Sequence, residues 1–104
     1  MKTITNLQDI KSIEVIFAST TNPQFKYIAG KQGTITFTNN VIVFVGMMYN
    51  MHTSYIKKLE IKNNIFIFTT RNSVYTFKPL ANYEDTVIEL DQSALESQLK
   101  QAGY

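Results

Sequence analysis

The chain has one histidine, His52, and Ser54 two residues on is too generic a neighbour to count as its nucleophile. General acid–base or nucleophilic catalysis needs the imidazole held against a nucleophile or a carboxylate. The segment "MHTS" supplies no carboxylate, so it predicts a histidine in a surface loop or against a methionine. Four carboxylates, Glu84, Asp85, Glu89 and Asp91, lie close together and could serve a hard cation. Their setting reads instead as a solvated loop leading into a helix. "AGKQG" (29–33) has glycine and lysine without the spacing of a phosphate-binding loop. With no cysteine, disulfides and cysteine-ligated zinc or iron–sulfur sites are excluded. These residues assign no catalytic group, metal site or cofactor and point away from an enzyme.

What remains is charge and exposed surface, and the elements that position them are strands. "SIEVIF" (12–17) puts Ile13, Val15 and Phe17 on one side, and "FKYIAG" (25–30) reads as a second strand ended by Gly30 and Gly33. "TITFTNNVIVFVG" (34–46) follows, then a looser "MMYNMHTS". After these come "YIKKLEIK", "IFIFTT" and "VYTFK", the last stopped by Pro79. Asn39-Asn40, Asn63-Asn64 and Asn72-Ser73 each separate two β-rich runs, and asparagine tolerates the left-handed backbone of tight hairpin turns. "ITFTNNVIVF" and "LEIKNNIFIF" look like two copies of one hairpin design. A short helical turn is expected near residues 6–10. "DQSALESQLKQAG" predicts a C-terminal helix over about 91–102, with Leu95, Leu99 and Ala102 on one stripe.

If each turn takes two residues, the flanking residues pair and opposed residues share a face. Lys58, Glu60, Lys62, Thr69, Arg71, Thr76 and Lys78 then gather on one side of the last three strands. Leu59, Ile61, Phe66, Phe68, Tyr75 and Phe77 gather on the other. The second set belongs in the core, since each such side chain gains about 1.5–3 kcal/mol on leaving water. In the first hairpin Ile35, Phe37, Ile42 and Phe44 are the dry set, and the threonines and valines between them face outward.

Four cations (Lys58, Lys62, Arg71, Lys78) against Glu60 give the wet face a net +3, with Lys57 and Lys26 near its rim. Such a patch can hold a few phosphates. Tyr27 and Tyr55, at an edge and in a loop, are the aromatics placed to touch a base. The plainer reading of the same lysines is a solvated sheet face. "GMMYNM" (46–51) combines methionine and tyrosine, which suit an adaptable contact surface.

A chain of 104 residues fits a single β-rich domain, 1–104, with one core. Its 44% hydrophobic content argues against disorder, and the formal charge of +2 selects no partner. No apolar run approaches the roughly 20 residues needed to span a bilayer. The N-terminal stretch lacks the basic and apolar regions of a signal peptide, so a cytoplasmic protein is expected.

The run from Gly33 to Phe77, "GTITFTNNVIVFVG … IKKLEIKNNIFIFTTRNSVYTF", resembles the strand rhythm of GRAM and pleckstrin-homology-like (PH-like) domains, with "SALESQLKQ" as their capping helix. That resemblance implies binding of proteins or lipid headgroups, not catalysis. The segments "IKSIEVIFAST" and "TTRNSVYTF", with the size and composition of the whole chain, are similar to the PrgU-type proteins of Gram-positive conjugative plasmids. That resemblance implies a PUA-like β-barrel and an RNA-binding regulator of gene expression. The expected fold is mainly β, a small antiparallel barrel or strongly bent sheet, PUA-like or PH-like, with a C-terminal helix. The expected function is RNA binding through Lys58, Lys62, Arg71 and Lys78, with Tyr55 or Tyr27 on a base. The alternative is an adaptor that binds another protein through a strand edge or the "MMYNM" loop, and an exposed edge would also allow a homodimer.

Overall fold

The computed structural model describes residues 1–90 of the chain. Its strands are β1 (Ile13–Thr20), β2 (Gln32–Thr38), β3 (Val41–Gly46), β4 (Asn50–His52), β5 (Ile56–Lys62), β6 (Ile65–Thr70), β7 (Val74–Pro79) and β8 (Thr86–Glu89). They form one antiparallel sheet in the order β4-β3-β2-β1-β7-β6-β5-β8, which is not closed into a barrel. Two meanders, β1 to β4 and β5 to β7, meet where β1 pairs β7, so the first strand lies mid-sheet. The expected tight turns form at Asn39-Asn40 and Asn63-Asn64, where all four asparagines take positive φ between 51° and 65°.

The sheet bends back on itself, and ring contacts measure the bend. Between β3 and β7 lie two other strands, which in a flat sheet would hold them about 14 Å apart. Yet the Phe44 and Phe77 rings stand 5.9 Å apart, with Phe17 5.6 Å from the first and 5.0 Å from the second. A bulge between Phe17 and Ser19 helps β1 turn the corner. The core is this concave face, where Ile35, Phe44, Leu59, Phe66, Phe68 and Phe77 are fully buried.

An N-terminal segment contributes Ile4, Leu7 and Ile10 to the same core. It makes the expected short turn, Leu7–Asp9, as a 3₁₀ helix. The Asp9 carboxylate accepts from the Thr5 and Asn6 amides and the Thr5 hydroxyl at 3.0–3.1 Å. Those donors hold Asp9 below the usual carboxylate range, the Asn6 amide contributing most.

Four expectations need correction. Residues 25–30 are not a strand: Pro23–Ile28 is a 3₁₀ helix, begun by Pro23 and by Asn22 accepting from the Gln24 amide. Both edges of β1 are already taken by β2 and β7, so the segment has no strand to join there. The looser "MMYNMHTS" stretch contains β4, and the carboxylate stretch contains β8.

The last correction concerns the β6–β7 turn, which is Arg71-Asn72 rather than Asn72-Ser73, so Thr69 opposes Val74 and Ile67 opposes Thr76. That register sets Phe66 against Phe77 and Phe68 against Tyr75 on the core side. Thr70 turns inward, and its hydroxyl bonds Ser73. A slip of two residues leaves every side chain on its predicted face. The helix expected at about 91–102 lies outside the described residues. Among those described, no helix is long and apolar enough to cross a membrane.

Candidate interaction surfaces

The predicted wet face exists, with a different balance of charge. Lys58 opposes Thr69, Glu60 opposes Ile67 and Lys62 opposes Ile65, as the turn geometry required. Lys78 lies on the same outer side, opposite Ile16 of β1. Arg71 does not join them, because it occupies the exposed β6–β7 turn. β8 then lays Glu89 opposite Lys58 and Val87 opposite Glu60. Three lysines now face two carboxylates, a net +1 in place of +3. Glu89 lies in a stretch whose sequence reads as loop, and in the structure "TVIE" alternates in burial as a half-covered strand does.

The two tyrosines assigned to this face do not share it. Tyr55 is exposed on the link between β4 and β5, one residue before the strand and beside the bulge at Lys57. Tyr27 belongs to the 3₁₀ helix and pairs with Tyr49, ring centroids 6.3 Å apart.

That pair marks the second surface. Gly46 accepts the turn into β4 by donating its amide to the Tyr49 carbonyl at 2.7 Å, which leaves Met47 and Met48 at the tip. Met47 is 98% exposed, Met48 84%, Tyr27 65% and Val45 47%. The Lys31 ammonium sits 5.4 Å from the centre of the Tyr49 ring, a cation–π contact, and Lys26 is exposed one residue before Tyr27. A groove of about 560 Å³ runs beside the cluster between Glu14, Lys31, Gln32, Met47 and Tyr49. Methionine and tyrosine in "GMMYNM" signalled this surface in the sequence. The arrival of Tyr27 from a segment read as a strand did not.

His52 lies on β4, exposed and opposite Val43, with Nδ1 3.1 Å from the Thr53 carbonyl. Of the four carboxylates, Asp91 lies outside the described residues, and the other three are spent separately. Glu84 accepts from the Thr3 hydroxyl, Asp85 from the Asn63 amide, and Glu89 faces Lys58. Among the described residues no three or more histidines and carboxylates gather as a metal site. Compared with family models, with curated proteins and with solved structures, the chain has no match.

Proposed function

We propose that the protein is a non-enzymatic binding module that engages a protein partner through the end carrying Tyr27, Val45, Met47, Met48 and Tyr49. The observation that carries this is the exposure of two adjacent methionines beside a tyrosine pair, side chains that stability alone would bury. Contiguous exposed apolar side chains rimmed by polar ones mark interaction sites, and methionine adapts its shape to a partner. Lys26 and Lys31 at the rim suit a partner whose contact surface is apolar at its centre and acidic at its edge. The fold reading that goes with this is PH/GRAM-like: a continuous course of short antiparallel strands, two meanders meeting at β1 and β7. That resemblance implies binding of protein or headgroup.

RNA binding through Lys58, Lys62 and Lys78 is the second reading, favoured by their common outer face. It would act by covering a transcript and altering its translation. Arg71 on a turn and Glu89 against Lys58 weaken it. A photo-crosslinking residue at position 48 and, separately, at position 58 separates the two. The expected result is a nuclease-resistant protein adduct at 48 that disappears in Tyr27→Ser/Met47→Ser. A salt-sensitive RNA adduct at 58, with nothing at 48, overturns the adaptor in favour of the regulator.

A further inference from the structure

Between the N-terminal segment and the end of β7 the surface opens into a cavity of about 490 Å³, which shares only Glu14 with the groove beside the methionine tip. Lys2, Lys11, Ser12, Glu14 and Tyr83 line it, with Leu80 and Ala81 among its apolar parts. Its two lysines stand on anchored backbone. The Lys2 amide donates to the Asn82 carbonyl at 2.9 Å, and the Lys2 carbonyl accepts from the Glu84 amide at 2.9 Å. Lys11 follows Ile10, whose carbonyl accepts from the Phe37 amide at 2.8 Å. It precedes Ser12, whose amide donates to the Thr36 hydroxyl at 2.9 Å while its φ is held at 47°.

Tyr83 gives the cavity its meaning. The residue is 5% exposed and its ring packs edge-on against Phe66 at 5.0 Å. No described residue of the protein takes a hydrogen bond from its hydroxyl, yet no fully buried polar side-chain atom among the described residues lacks a partner. The hydroxyl therefore keeps some access to solvent, and Tyr83 is one of the residues that line the cavity. Burial raises the phenol's pKa, so it stays a donor across the neutral range.

We propose that this cavity binds a phosphate monoester, with the Lys2 and Lys11 ammonium groups opposing its charge and the Ser12 and Tyr83 hydroxyls donating to its oxygens. Lysine binds phosphate as a compact point charge, and separate hydroxyl donors can reach other oxygens of a tetrahedral dianion. The cavity has room beyond the phosphate for the organic part of the ester, against Leu80 and Ala81. Glu14 on the wall opposes the anion and keeps the affinity modest.

The test is an amide NMR titration of the full chain with inorganic phosphate, with glycerol 3-phosphate, and with vesicles carrying phosphatidic acid. Saturable shifts centred on Lys2, Lys11, Ser12 and Tyr83 are expected. Lys11→Ala should weaken binding roughly tenfold, the scale of a lost hydrogen bond to a charged group. Tyr83→Phe, which keeps the ring packing, should weaken it less, and Glu14→Gln should tighten it. Binding of the soluble esters identifies a free ligand, and binding of the vesicles alone identifies the same chemistry in a lipid headgroup. Absence of saturation with all three probes overturns the proposal. So do shifts as large at Lys58 and Lys62, or Lys11→Ala and Tyr83→Phe variants that fold and bind as well as the parent.

Discussion

The two Asn-Asn hairpins, β2–β3 and β5–β6, share a turn design and an alternation of buried and open side chains, yet their outer faces meet different fates. The first pairs Thr34, Thr36 and Thr38 with Val45, Val43 and Val41, and beyond β3 it gains the short β4 and the exposed methionine tip. The second is covered on its far edge by β8, which brings Glu89 to Lys58. Their turns differ as well. Around the first, the Asn40 carbonyl accepts from the Ile56 amide at 2.8 Å. In the second, the Asn64 side chain donates to the Ala81 carbonyl at 3.1 Å and accepts from the Tyr83 amide at 2.8 Å. Local residues therefore set a hairpin's register, and the strand that arrives next sets what its surface offers.

The largest effect should come where the two halves join. Phe77 touches Phe17, Phe44 and Phe68, so Phe77→Ala is expected to cost about 3–5 kcal/mol in urea unfolding. A loss below about 1 kcal/mol would show that the halves are stable apart. Gly33→Ala comes next. A Cβ there would meet the Val45 carbonyl and stand 2.9 Å from the Phe44 ring, a backbone clash that should cost about 1–3 kcal/mol. Gly46→Ala, with its nearest contact at 3.1 Å, should cost less in the same measurement.

The turns themselves give a sharper contrast. Glycine suits the second position of either turn, so Asn40→Gly should leave stability within about 0.5 kcal/mol of the parent. Asn64→Gly removes two tertiary hydrogen bonds and should cost about 1–2 kcal/mol. Equal thermal midpoints for the two variants would mean that the turns are energetically alike.

The smallest effects are those of pH, and they fall on opposite limbs. Asp9, on the segment anchored to β2 through Ile10 and Phe37, has its folded pKa lowered by accepted hydrogen bonds. Its contribution is present above the unfolded value of 3.8 and is lost as pH falls through the lower folded value. Tyr83, against Phe66 of β6, has its pKa raised by burial. Its contribution is present below the unfolded value of 10.0 and is lost as pH rises above it. Amide exchange should show residues 4–10 loosening first in acid and residues 81–84 first in alkali. Asp9→Asn should flatten the acid limb alone.

Much of this molecule was legible along the chain. The alternation of Leu59, Ile61, Phe66, Phe68, Tyr75 and Phe77 identified a buried face, and each is buried. The paired asparagines located two turns to the residue. Where the reading slipped, a tertiary partner had decided. Thr70 preferred a bond to Ser73 and an aromatic register opposite β7, which moved Arg71 off the sheet. Residues 25–30 had strand composition but no free strand edge on β1, and a proline and an asparagine cap placed 25–28 in the 3₁₀ helix Pro23–Ile28. The net charge of the lysine face was unreadable because Glu89 lies 31 positions from Lys58, too far for any local pattern to pair them.

The sequence by itself determined the β class, the inward and outward sets and two of the hairpins, because side-chain alternation and asparagine's left-handed backbone are local properties. The tertiary structure alone decided which strands became neighbours. It set Tyr27 against Tyr49, put Glu89 beside Lys58 and brought Lys2 to Tyr83. Those contacts follow from how a bent sheet buries its aromatic face, and that packing is settled by the whole core at once.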